Sequence, residues 1–144
     1  GLSQIFIFKI NLKSLMLANL VFALVSGVLA IMLFFSFVIA PVGFKTLNEK
    51  NFRKYIRKIF PFYYSINLTL LIIASIPIYI YHGMNISLVL ILICAGLFAI
   101  SLFILMPMIN KFKDKNKLKK FKIAHATSVI INFVQILILI IVII

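Results

Sequence analysis

Residues 59–110, IFPFYYSINLTLLIIASIPIYIYHGMNISLVLILICAGLFAISLFILMPMIN, contain no charged side chain. A helix that crosses roughly 30 Å of hydrocarbon needs about 20 apolar residues, so this stretch is far too long for one crossing. Its centre reads Tyr81-His82-Gly83-Met84-Asn85, a turn signal. Gly83 can supply a left-handed cap that ends one helix, and Asn85 or Ser87 can cap the next. The stretch therefore predicts two spanning helices joined by a tight hairpin.

Outward from this hairpin, residues 14–44 and 123–144 are also free of charge. Each holds one further span. The predicted spans lie at about 15–40, 62–81, 86–106 and 121–143 of a single transmembrane domain, residues 1–144. Segments this long and uniformly apolar do not fit the roughly 10-residue alternating strands of a membrane barrel. The expected fold is an all-α membrane protein, a four-helix transmembrane bundle.

Composition agrees. The chain is 65% hydrophobic and 12% charged, with a mean hydropathy of +1.24, against roughly half apolar and a quarter charged in soluble domains. A domain of 144 residues has too little interior to hide that surface from water. Lipid is the expected solvent. The run after Lys9 and Lys13 is longer than a signal-peptide core and lacks an Ala-x-Ala-like cleavage site, so it reads as a mature span. A chain that opens on Gly1 in place of Met is expected to be incomplete. No internal repeat is evident.

There are 15 Lys and Arg against 2 Asp and Glu. The basic residues gather in the first loop (Lys45 to Lys58) and the third (Lys111 to Lys122), which four spans put on one side. By the positive-inside rule that side is cytoplasmic, and both termini lie outside. A multi-pass protein of the bacterial inner membrane is the expected location. This charge pattern is what topology requires, so no nucleic-acid partner is inferred. The lone Cys94, deep in an apolar run, reads as a small core residue with no disulfide or metal motif available.

In the first loop Phe52, Tyr55, Ile56, Ile59 and Phe60 form one helical stripe, with Arg53, Lys54, Arg57 and Lys58 opposite. Thr46-x-x-Glu49 has capping-box spacing. The pattern predicts a short amphipathic interfacial helix, its cations on anionic lipid headgroups. Pro61 then suits the first turn of the second span. Pro41 and Pro107 mark the inner ends of the first and third, and Pro77 interrupts the second.

Polar residues inside the spans are informative because lipid offers them no partners. On the fourth helix His125, Ser128, Asn132 and Gln135 fall within an arc of about 80° at 100° per residue. On the first, Asn19, Ala23, Ser26 and Ala30 share a face beside Gly27, small enough for close helix approach. These faces either glue the bundle or line a buried site. His125 and His82 belong to opposite ends, which argues against one metal or haem held by both. There is no intramembrane Asp or Glu and no triad or phosphate-loop motif, so no catalytic residue, metal site or cofactor is assigned. A haem on His125 alone and a homo-oligomer stay open.

The run Phe34-Phe35-Ser36-Phe37-Val38-Ile39-Ala40-Pro41, then Phe60-Pro61-Phe62-Tyr63, then Pro107-Met108-Ile109-Asn110 with Asp114, Phe121, His125, Ser128, Asn132 and Gln135, resembles the transmembrane protein 205-like family. The resemblance implies a four-helix membrane domain of no settled activity. That family is distantly similar to membrane proteins of copper and haem metabolism, yet spans 15–40, 62–81 and 86–106 hold no histidine. The expected function is a non-catalytic module whose polar face binds a small ligand or partner helix. A haem- or metal-linked redox protein and a small transporter are the alternatives.

Overall fold

The computed structural model describes the backbone of residues 1–144 and every side chain except those of Phe6 and Ile10. Four helices account for nearly all of it: α1 (Leu2–Thr46), α2 (Glu49–His82), α3 (Ile86–Asp114) and α4 (Leu118–Ile143). Each is long and apolar enough to cross a membrane. Only 17% of the most apolar stretch of α4 and 39% of that of α3 is buried, so the bundle turns most of its grease outward. Phe37, Phe62, Phe103 and Phe133 are among the rings left exposed. A water-soluble bundle would do the reverse.

The hairpin between α2 and α3 falls where expected, although Gly83 pairs its positive φ with an extended ψ of −153° instead of a left-handed helical one. Gly83 ends α2 at φ 64°, and the Asn85 side chain accepts from the Leu88 N–H at 2.8 Å to start α3. Neighbouring helices pack α1 on α2, α2 on α3, α3 on α4 and α4 back on α1, an antiparallel ring around one core. That core runs through Val28, Met32, Leu71, Ile91, Phe98 and Leu139, all fully buried. Cys94 sits in it, as its apolar run predicts.

Three expectations need correction. Residues 49–60 are not a separate interfacial helix but the first turns of α2, which continues through Pro61. The cap is Asn48, whose side chain accepts from the Asn51 N–H at 2.9 Å, while the Thr46 hydroxyl turns back to the Val42 carbonyl at 2.7 Å. The stripe that suggested lipid contact packs on protein instead: Phe52 meets Phe44 edge-on at 5.4 Å, and Tyr55 lies against Gly43. Ile59 and Phe60 join the core. That burial offsets the hydrogen bond Pro61 cannot donate.

Pro41 and Pro107 do not end helices either. Each follows a π turn, Phe35–Ile39 in α1 and Ser101–Leu105 in α3. The widened turn closes immediately before the ring, with Ala40 N–H bonding the Phe35 carbonyl and Met106 N–H the Ser101 carbonyl. Shifting the ladder by one residue lets the helix carry on past a proline.

Third, the chain does carry an internal repeat. Val25 and Ile91, Val28 and Cys94, Met32 and Phe98, and Phe35 and Ser101 are all buried pairs at one constant spacing along the chain. The two π turns, the two prolines and Lys45 with Lys111 keep that same spacing. On the following helices Asn67 answers Gln135 and Leu71 answers Leu139, again all buried. The hairpin α1–α2 is thus repeated by α3–α4. Side-chain identities have diverged too far for the sequence alone to display it, since burial asks only for apolar volume.

Candidate functional site at the basic end

Beyond the π turns the four helices line a partly open cavity of about 790 Å³. Its wall draws on Ser36, Pro41 and Phe44 of α1, on Arg53, Arg57, Phe60 and Tyr64 of α2, on Met106, Ile109 and Lys113 of α3, and on Phe121, His125 and Ser128 of α4. The mouth is cationic, the middle apolar and the floor hydroxyl-bearing. A smaller cavity of about 250 Å³ occupies the opposite end, between Ser14, Pro77, Tyr81 and Val142.

The floor is held by an interhelical chain. The Tyr63 hydroxyl donates to Asn132 Oδ1 at 2.6 Å, and Asn132 Nδ2 donates to Ser36 Oγ at 3.0 Å. Around it Phe35 stacks on Tyr63 at 4.2 Å and Phe60 on Tyr64 at 5.4 Å. The π turn that begins at Phe35 brings that ring and Ser36 to this level. Deeper still, Gln135 Nε2 donates to the Cys94 carbonyl at 3.0 Å. Asn67, fully buried, finds no partner among the described residues for either end of its amide.

The mouth is crossed by ion pairs. Asp114, the last residue of α3, takes Arg57 with both carboxylate oxygens and Arg53 at 3.2 Å. Arg57 also donates to the Asn110 carbonyl at 3.3 Å, and Lys113 approaches Glu49 at 3.5 Å. Arg57, by hydrogen bond and by charge, holds the Asp114 carboxyl below the usual aspartate range, with Arg53 adding to it. The pairs are open to water: the Arg53, Arg57 and Asp114 side chains are 38%, 35% and 53% exposed. Asn116, in the left-handed region at φ 54°, turns the chain between α3 and α4, with Lys117 N–H reaching back to the Phe112 carbonyl at 2.9 Å. This closure fixes where Asp114 stands.

Of the polar face expected on α4, Gln135 is buried, Asn132 and Ser128 are half-buried, and His125 is exposed. His125 stacks on Phe121 at 5.9 Å while Ser128 donates to its backbone carbonyl. The face expected on α1 does not pack. Asn19, Ala23 and Ala30 are exposed, Ser26 is only half-buried, and a Cβ on Gly27 would touch nothing. The larger Val25, Val28 and Met32 occupy the interior instead, where they fill the space between the helices. Of the four first-loop cations, Arg53 and Arg57 line the cavity, whereas Lys54 and Lys58 are exposed.

Ser36 and Tyr63 stand out in the sequence only within the family resemblance, and Tyr64 and Asn67 not at all. Asn67 was recoverable, as a lone amide in mid-span. The hydroxyls were not, because Ser and Tyr are unremarkable at a helix end.

A family model described as a domain of unknown function (DUF4149) matches residues 20–118, more than half of the chain. The chain belongs to that family. No curated protein and no solved structure matches it.

Proposed function

We propose that this member of the DUF4149 family is a four-span integral membrane protein that holds a small amphiphilic ligand in its basic-end cavity and performs no chemistry on it. One observation carries the reading. The cavity of about 790 Å³ is lined from all four helices, within the size range of small-molecule sites, with an apolar wall and a few convergent polar groups. Ser36 and Ser128 offer hydroxyls at the floor, and arginine and lysine stand at the mouth. This gradient matches a molecule with a polar head and a hydrocarbon body.

The location of Lys and Arg supports a cytoplasmic mouth, with both termini on the far side. Lys54 and Lys58, exposed beside the opening, suit contact with anionic headgroups of the same leaflet. The resemblance to the transmembrane protein 205-like family agrees with a four-helix membrane module of this kind.

Photo-cross-linking tests it. A phospholipid with a diazirine on its acyl chain is added to the purified protein in detergent, and labelled peptides are mapped. Labelling concentrated on Ile56, Phe60, Ile109 and Phe121 is expected. Labelling spread over Phe62, Phe103 and Phe133 with none in the cavity refutes ligand binding there.

A further inference from the structure

The only two acidic side chains in the sequence are Glu49 and Asp114, among 15 Lys and Arg. Both stand at the mouth of this one cavity, each on a cation that lines it: Asp114 on Arg53 and Arg57, Glu49 on Lys113. Three cations face two carboxylates, leaving one positive charge over. Resting on the ligand-binding reading above, we infer that the ligand is an amphiphile with a singly charged phosphate-ester head, and that Asp114 is its intramolecular competitor for Arg57 and Arg53.

The geometry and chemistry favour exchange. Two guanidinium forks converging on one carboxylate form the arrangement that also takes a phosphate through paired N–H donors. Both Arg–Asp114 pairs are open to solvent, and exposed ion pairs contribute little to stability, so they are given up easily. Asp114 also closes α3, where the negative end of the helix dipole disfavours a carboxylate. Released, it lies next to Lys115 and three residues before Lys117. Deeper than Arg57 the wall becomes apolar at Phe60 and Met106, which distinguishes a lipid-like occupant from free phosphate.

Native mass spectrometry of the delipidated protein reads this directly, with phosphatidylglycerol and phosphatidylcholine of identical chains as probes and inorganic phosphate as a competitor. The wild type is expected to retain phosphatidylglycerol about tenfold more tightly, with no displacement by phosphate. Asp114→Asn should tighten phosphatidylglycerol about threefold to tenfold and phosphatidylcholine, whose choline cation offsets its phosphate, by less. Arg57→Gln should abolish the preference. Arg57→Lys, which keeps the charge and loses the fork, serves if that variant does not fold. Lys13→Gln at the far end should change nothing.

Equal retention of both lipids overturns the head-group inference while sparing the cavity reading. Unchanged or weakened phosphatidylglycerol binding in Asp114→Asn overturns the competition. Displacement by phosphate overturns the amphiphile. Retention of neither lipid overturns the cavity reading itself.

Discussion

Tyr63 on α2 donates its hydroxyl proton to Oδ1 of Asn132 on α4 at 2.6 Å, across the diagonal of the bundle. Neighbouring helices in the ring pack side by side, so this bond and its continuation to Ser36 tie together three helices at the level of the π turns. Asn132→Leu strands both the Tyr63 hydroxyl and the Ser36 hydroxyl. It should cost about 1 kcal/mol, the usual scale of an interhelical hydrogen bond in membranes. Thermal unfolding in detergent measures it, and the double variant with Tyr63→Phe should lose less than the sum of the two single losses.

Asn67 predicts the opposite sign. Its amide is fully buried with no partner at either end among the described residues. Asn67→Leu should stabilise the bundle by about 1–2 kcal/mol, because an unpaired buried polar group is replaced by one that needs no partner. A rise in the melting temperature checks it, and a fall contradicts it.

Gly43 reports the approach of α2 to the extension of α1 past Pro41. A Cβ there would meet the Tyr55 ring at 3.1 Å. Gly43→Ala should be tolerated with a small loss as the ring gives way. Gly43→Leu should cost about 1–3 kcal/mol by overpacking, read from the same melting curves.

The Asp114 clamp sets a pH dependence. Arg57, and Arg53 with it, hold the carboxyl below its unfolded range, so the folded state binds fewer protons there. The clamp's contribution is present above the unfolded aspartate value and is lost as pH falls through the lower folded one. The stability difference between wild type and Asp114→Asn should therefore vanish in strong acid and be constant near neutrality. Paired melting curves across that range test it.

The sequence displayed the four long apolar helices, the hairpin at Gly83 and Asn85, and the segregation of charge, because each depends on local composition alone. The inward turn of Asn132 and Gln135 was legible from their spacing on α4. Other features depend on what a helix meets. Small residues on α1 look suited to contact until Val25, Val28 and Met32 compete for the same interior. Proline at 41 and 107 reads as a terminus unless a π turn precedes it, and no local signal announces one. The stripe from Phe52 to Phe60 would serve lipid or protein equally, and only the presence of Phe44 and Gly43 opposite decided between them.

The chain contains no tryptophan, so one can be introduced without background. Phe121→Trp puts an indole in the cavity wall, and Phe133→Trp puts one on the exposed outer surface. Brominated phosphatidylglycerol is then titrated into each detergent-solubilised variant while tryptophan fluorescence is followed. A ligand-holding cavity predicts that Trp at 121 is quenched at a lipid fraction several-fold lower than Trp at 133. Parallel quenching of the two would contradict it.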